Sequence, residues 1–165
     1  MDTQETAQAI KSDCCPPFKP ELWQEQVITW NDKKFVKGNV KSFWHMPLNM
    51  GSVITNLSNK IKAAGAELNE DTIMLSDESS AWSSEQYISV NKEVSGCANV
   101  TVSGTFLTKV FEGPYRMVPK WHKEMEQYVA SKDKKIIKLY TYYTTCPKCA
   151  KIYGKNYVVL FAQVS

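Results

Sequence analysis

Three groups of residues in this 165-residue chain have side chains suited to chemistry. The first is a polar pair. Glu112 falls between a strand-like run, Thr105 to Phe111, and Gly113-Pro114, after which Val118, Trp121, Met125, Tyr128 and Val129 recur on one helical face. Pro119 suits that helix because it falls in the first turn. A carboxylate at such a junction is close to emerging helix N–H groups, where negative charge is favoured; the same place also suits a plain turn or capping acid. His45 holds the matching place earlier. Aligning Pro47 with Pro114 sets Trp44 against Phe111, His45 against Glu112, Met50 against Met117, Ile54 against Trp121 and Ile61 against Tyr128. A histidine and a carboxylate facing one space can act as general base and acid on a water and a leaving oxygen, an arrangement worth on the order of 10²–10⁴ in rate.

The second group is aromatic: Trp44, Trp82, Phe111, Tyr115, Trp121, Tyr140, Tyr142 and Tyr157. Together these rings can wall a stacking box, each cation–π contact giving about 0.5–2 kcal/mol. Rings at alternating or helical positions are also ordinary core, so roughly half the set is expected to line a cleft. The third group is Cys146-Pro147-Lys148-Cys149, which has redox-motif spacing. A thiol of that kind needs a helix N-terminus to lower its pKa, and here the motif falls in a hairpin loop. Zinc held by Cys14, Cys15, Cys146 and Cys149 is disfavoured, because adjacent cysteines rarely both ligate with tetrahedral geometry. A turn that tucks two small thiols inward is the favoured reading, with no metal and no cofactor. Asp77 and Glu78 belong to a polar loop in which solvation accounts for them, although that loop could fold over a cleft mouth. No phosphate loop, nucleophile elbow or metalloprotease motif is present.

The elements that would position these groups repeat along the chain. Residues 1–13 read as a disordered tail and 14–35 as an extended, proline-rich arm anchored by Phe18, Leu22 and Trp23, with a short strand at Gln26 to Trp30 and a turn at Asn31-Asp32. Asn39 to Trp44 then reads as a strand. Asn49 is placed to cap a helix carrying Met50, Val53, Ile54, Leu57, Ile61 and Ala64 at helical spacing, and Gly65 to end it. A hairpin follows over Thr72 to Val94. The second copy runs from Val100 to Phe111, broken or bulged at Gly104, through the Trp121 helix to a hairpin over Ile136 to Val164. In its first strand Tyr140 and Tyr142 share one face and Tyr143 takes the other. The expected fold is therefore α+β: two pseudo-symmetric strand-helix-strand-strand units, 36–95 and 100–165 of one domain spanning 36–165, forming antiparallel sheet with the helices packed on one side and a central cleft between the units. Such a cleft is a natural small-molecule site.

Composition fits this. Hydrophobic content of 43% and charged content of 22% are those of an ordinary globular chain. Net charge is +3, with basic and acidic residues spread evenly, unlike the basic stripe of a nucleic-acid binder. The longest apolar run, Tyr157 to Ala162, is too short to cross a bilayer, and Met1 to Asp13 do not resemble a secretory signal. Cytoplasmic residence, no nucleic-acid or membrane partner, and a monomer or weak dimer are the expectations.

Several motifs carry a family resemblance. Phe111-Glu112-Gly113-Pro114-Tyr115 before a Trp-bearing helix resembles the GyrI-like small-molecule-binding domains. Cys14-Cys15-Pro16, Phe43-Trp44-His45-Met46-Pro47, Gly104 to Tyr115 and Tyr143 to Tyr157 are similar to a stand-alone bacterial branch often labelled hydrolase. The resemblance spans about Cys14 to Val164. It implies an aromatic cleft with an acidic residue that takes flat, often cationic or hydrophobic compounds, and in some members a hydrolysis that opens the strained cyclopropane of DNA-alkylating natural products. Many GyrI-like domains carry a Glu-hydrophobic-Tyr strand in the second unit; Lys138-Leu139-Tyr140-Thr141-Tyr142 has no acid there, which leaves Glu112 as a substitute candidate. The chain is accordingly expected to be a small-molecule binder, with hydrolysis of a reactive electrophile as its further activity. The alternatives are a thiol redox protein using Cys146 and Cys149, or a ligand-free interaction module.

Overall fold

A computed structural model describes residues 18–44, 46–68, 72–78, 80–144 and 156–165. His45, Cys14, Cys15, Cys146, Cys149 and the 1–13 tail lie outside the described residues. After a 3-10 turn, Pro20–Leu22, the elements are β1 (Val27–Phe43), β2 (Met46–Pro47), α1 (Met50–Ala64), β3 (Met74–Asp77), β4 (Ser83–Ser89), β5 (Ala98–Glu112), α2 (Val118–Ser131), β6 (Ile136–Tyr143) and β7 (Tyr157–Val164). The order strand, helix, hairpin thus occurs twice. Among the described residues no helix is long and apolar enough to cross a membrane.

The antiparallel sheet runs β2-β1-β4-β3-β6-β7-β5, and β5 returns to pair with β1, so it closes into a barrel. This departs from the expected sheet with an outlying arm, and the cause is β1. Residues 27–43 form one strand that pairs with β4 along one edge and β5 along the other; a boundary at 35/36 falls inside it. The Asn31-Asp32 pair, read as a turn, is a bulge between Trp30 and Lys33. Asp32 takes φ 52°, and its N–H and carboxylate both bond the Ser103 hydroxyl, at 2.8 and 3.2 Å. Turn chemistry is thereby absorbed without leaving the ladder. β5 itself is unbroken at Gly104, where φ is 142° and a Cβ would stand 2.8 Å from Gln163 Nε2.

Both helices pack on the outer face of the barrel. Under α1, Leu57 and Ile61 bury against Val36, Ile88 and Val90. Gly38 permits the close approach, since a Cβ there would meet Leu57 Cδ1 at 2.7 Å and Val53 Cγ1 at 2.9 Å. Gly65 ends α1 in the left-handed conformation, as expected. Asn49 does not cap through its side chain; its Oδ1 accepts from the Lys41 N–H at 2.7 Å and ties the helix start to β1. Under α2, Val118, Trp121, Met125 and Val129 are buried against Phe111 and Leu160, the face read from their spacing.

The barrel interior is aromatic, filled by Phe35, Tyr87, Phe106, Tyr140 and Phe161 with aliphatic neighbours. Arm residues close one end of it. Phe18 packs 5.4 Å from the Tyr157 ring and 6.3 Å from Tyr142, and Trp23 lies 5.3 Å from Phe161. Thr108 Oγ1 donates to the Trp23 carbonyl, and Gln24 Oε1 accepts from the Val110 N–H. Leu22, the third expected anchor, is exposed.

Candidate functional site

The register separates an inward row of side chains from an outward row on every strand. On the outer face, α1 covers β1 and part of β4, while α2 covers β5 and β7. Between them lies a polar strip formed by Ser84 and Gln86 of β4, Ser76 of β3 and Thr141 of β6, joined by the pairs Ser76–Gln86 and Ser76–Thr141. All four are at most 6% exposed. Gln86 Nε2 donates to Ser76 Oγ at 2.7 Å and to Ser84 Oγ at 3.2 Å. Ser76 Oγ donates in turn to Glu78 Oε1 at 3.3 Å. The row ends on a carboxylate.

Glu78 is fixed from a second side. Tyr143, at the end of β6, donates its hydroxyl to Glu78, 2.9 Å from both Oε1 and Oε2. His122 of α2 lies within electrostatic reach of this carboxylate. Burial pushes its imidazole below its ordinary value of 6.5, while Glu78 and Glu126 pull the other way. Its Nε2 is buried without a hydrogen-bond partner. An orphaned buried nitrogen costs about 1–3 kcal/mol, so a buried imidazole in the field of a held carboxylate is the chemically distinctive feature of this face. Such a pair can hold a cation against Glu78 and offer Nε2 as a proton acceptor.

The residues singled out by sequence disperse over the molecule. Trp44 and Trp82 do meet, with ring centroids 5.8 Å apart, both more than half exposed, and Phe43 joins them 5.7 Å from Trp82. Trp82 continues the outward row of β4, and its carbonyl accepts from the Ser42 N–H at 2.8 Å, so this aromatic cluster borders the polar strip. Trp44 takes a left-handed φ of 50°, which is strained for a bulky residue. Phe111 and Trp121 stack at 5.5 Å inside the α2 core. Tyr140 is buried in the barrel, and Tyr142 and Tyr157 pack on Phe18 of the arm. Glu112 is exposed at the end of β5 opposite Tyr157. Because Val27 pairs with Leu107, Glu112 and Trp44 leave the sheet at opposite ends.

Tyr143, His122 and Gln86 were not among the sequence candidates, and Glu78 was weighed only as a solvated loop acid. Only the period-two placement of Ser76 and Glu78 beside Ser84 and Gln86 hinted at a polar row on one face.

A family model described as bacterial hydrolase matches residues 5–164. The chain belongs to the bacterial hydrolase family. This is the stand-alone GyrI-like branch to which its motifs pointed. None of the curated proteins matches it. Among solved structures, the bacterial hydrolase-family chain is similar to the C-terminal domain of EcmrR, at 13% identity and TM-score 0.63, covering 87% of this chain and 98% of that one. A hydrolase from Listeria innocua aligns at 13% identity and TM-score 0.58, over 86% and 92% of the two chains. EcmrR in a DNA complex aligns at 12% identity and TM-score 0.62, over 98% of this chain and 63% of that one. At these identities the likeness is one of fold.

Proposed function

We propose that this domain binds a flat, hydrophobic cation in a central cleft between α1 and α2, with Glu78 as its counter-charge and Trp44 and Trp82 as the aromatic rim. The observation that carries the reading is the Glu78 carboxylate held by Tyr143 and Ser76 at the end of a buried polar row. Polar groups buried on a sheet face cost stability compared with an apolar face, and a held carboxylate beside exposed rings suits a delocalised cation. Titration with a planar cationic dye tests it. Glu78→Gln removes one charge-assisted contact, worth about 1.5–3 kcal/mol, so affinity falls roughly ten- to a hundredfold. Equal affinity in a folded Glu78→Gln variant refutes the assignment.

A second reading, addition of water to an electrophilic ligand such as a cyclopropane-bearing alkylator, is favoured by His122, whose unpartnered Nε2 suits a general base. The family description supports hydrolysis in general terms. Glu112 is the alternative general base. Loss of parent compound, followed by chromatography in wild type, His122→Gln and Glu112→Gln, separates the two. Unchanged turnover in Glu112→Gln removes that residue.

A further inference from the structure

We propose a second binding site, at the end of the barrel opposite the arm, for a small organic anion: a carboxylate or phosphate on an apolar body. It is independent of the strip between the helices. β5 pairs with β7 only from Thr105 onward, yet continues along β1 to Ala98. The first part of β5 thus parts from β7, and an open pocket of about 330 Å³ lies there, at the lower end of the size range of small-molecule sites, about 300–1,000 Å³. Phe18 and Trp23 plug the far end; among the described residues no such plug closes this one.

Two cations line it, each already paired with one carboxylate. The charged side chains that line it are Lys37 and Lys138, while Val102, Tyr87 and Tyr140 supply apolar surface and Gln163 an amide. Lys138 is fixed by Asp77 at 3.2 Å and lies over the Tyr140 and Tyr87 rings, 5.0 and 5.7 Å from their centroids. Lys37 bonds Glu85 at 3.2 Å, and Glu85 is in turn held by the Tyr87 hydroxyl at 2.7 Å. Each ammonium has three donors and spends one on its carboxylate, while its side chain stays 35–37% exposed. Two pre-positioned cations with donors to spare, over a ring-lined wall, match an oxyanion joined to an apolar body.

The test uses 1-naphthoate, 1-naphthyl phosphate, 1-naphthylmethanol and inorganic phosphate, titrated into the full chain with amide chemical shifts as readout. Both naphthyl anions are expected to move the Val102, Tyr140 and Gln163 amides saturably. Naphthylmethanol and inorganic phosphate should bind at least tenfold more weakly. The preferred anion of the two names the natural headgroup. Lys138→Gln should weaken binding at least tenfold. Should that variant melt early, Lys37→Gln, with its partly exposed ammonium, provides the same comparison. Absence of saturable shifts with both anions, affinity unchanged in the folded variants, equal binding of the alcohol, or shifts confined to the Trp44–Trp82 rim would each overturn the proposal.

Discussion

Tyr143 and Glu78 join the two halves of the sheet: a hydroxyl from the end of β6 donates to a carboxylate just past β3, 2.9 Å from each oxygen. β3 and β6 share a single backbone bridge pair, Ser76 with Thr141. The side-chain bond therefore reinforces the seam where the ladder is sparsest. Tyr143→Phe should cost about 1.5–3 kcal/mol, the usual value of a hydrogen bond to a charged group, read as a lower urea midpoint at unchanged slope.

Trp44 provides a contrast between stability and binding. Its left-handed backbone is unfavourable for a side chain with a Cβ and costless for glycine, and its ring is 73% exposed, so little packing is lost on removal. Trp44→Gly is expected to raise the melting temperature or leave it unchanged while weakening dye binding several-fold. A fall in both would show that Trp44 acts through the fold alone.

The acid limb of stability should carry a His122 signature. Burial sets its folded pKa below 6.5, so above that value the imidazole is neutral in both states and imposes no penalty. As pH falls below 6.5 the unfolded chain takes up the proton first, and stability declines until the folded pKa is passed. Denaturation midpoints measured from pH 8 down to 5 should show this decline in wild type and less of it in His122→Gln.

Glu85 titrates lower. The Tyr87 hydroxyl is the chief influence holding its carboxyl below the ordinary 4.5, with burial opposing and Lys37 assisting. Stability from this group is present above pH 4.5 and is lost as pH falls through the folded value. Tyr87→Phe should move the Glu85 carboxyl upward, as read by the pH dependence of its side-chain carbon shift.

Gly38 tests the seat of α1. A valine there would drive its methyl groups into Leu57 and Val53, already 2.7 and 2.9 Å from a hypothetical Cβ. Overpacking of this kind costs about 1–3 kcal/mol, measurable by urea unfolding.

Local pattern made much of the fold readable. The Val118, Trp121, Met125, Val129 stripe, the Gly65 stop and the two hairpins depend on residues near one another in sequence, and the structure places them as expected. The alternation that sets Tyr140 and Tyr142 against Tyr143 was equally plain, since a strand's two faces follow from backbone geometry. Asn31-Asp32 misled because the same residue types serve turns and bulges, and only pairing with Ser103 across the barrel decides between them. The aromatic list illustrates a similar ambiguity. A ring in a strand can face a ligand, an arm or a core, and Tyr157, Tyr142 and Phe111 show the latter two.

The sequence by itself determined the two helices, the two hairpins and the family, because periodicity and contiguous motifs are local. The tertiary structure alone decided that β1 closes the sheet onto β5, that the arm fills one end of the barrel, and that Glu78, unremarkable in a polar loop, meets Tyr143 from 65 residues further along the chain. Each of these depends on strands brought together from distant parts of the chain, and no local pattern encodes which distant partner a polar side chain will find.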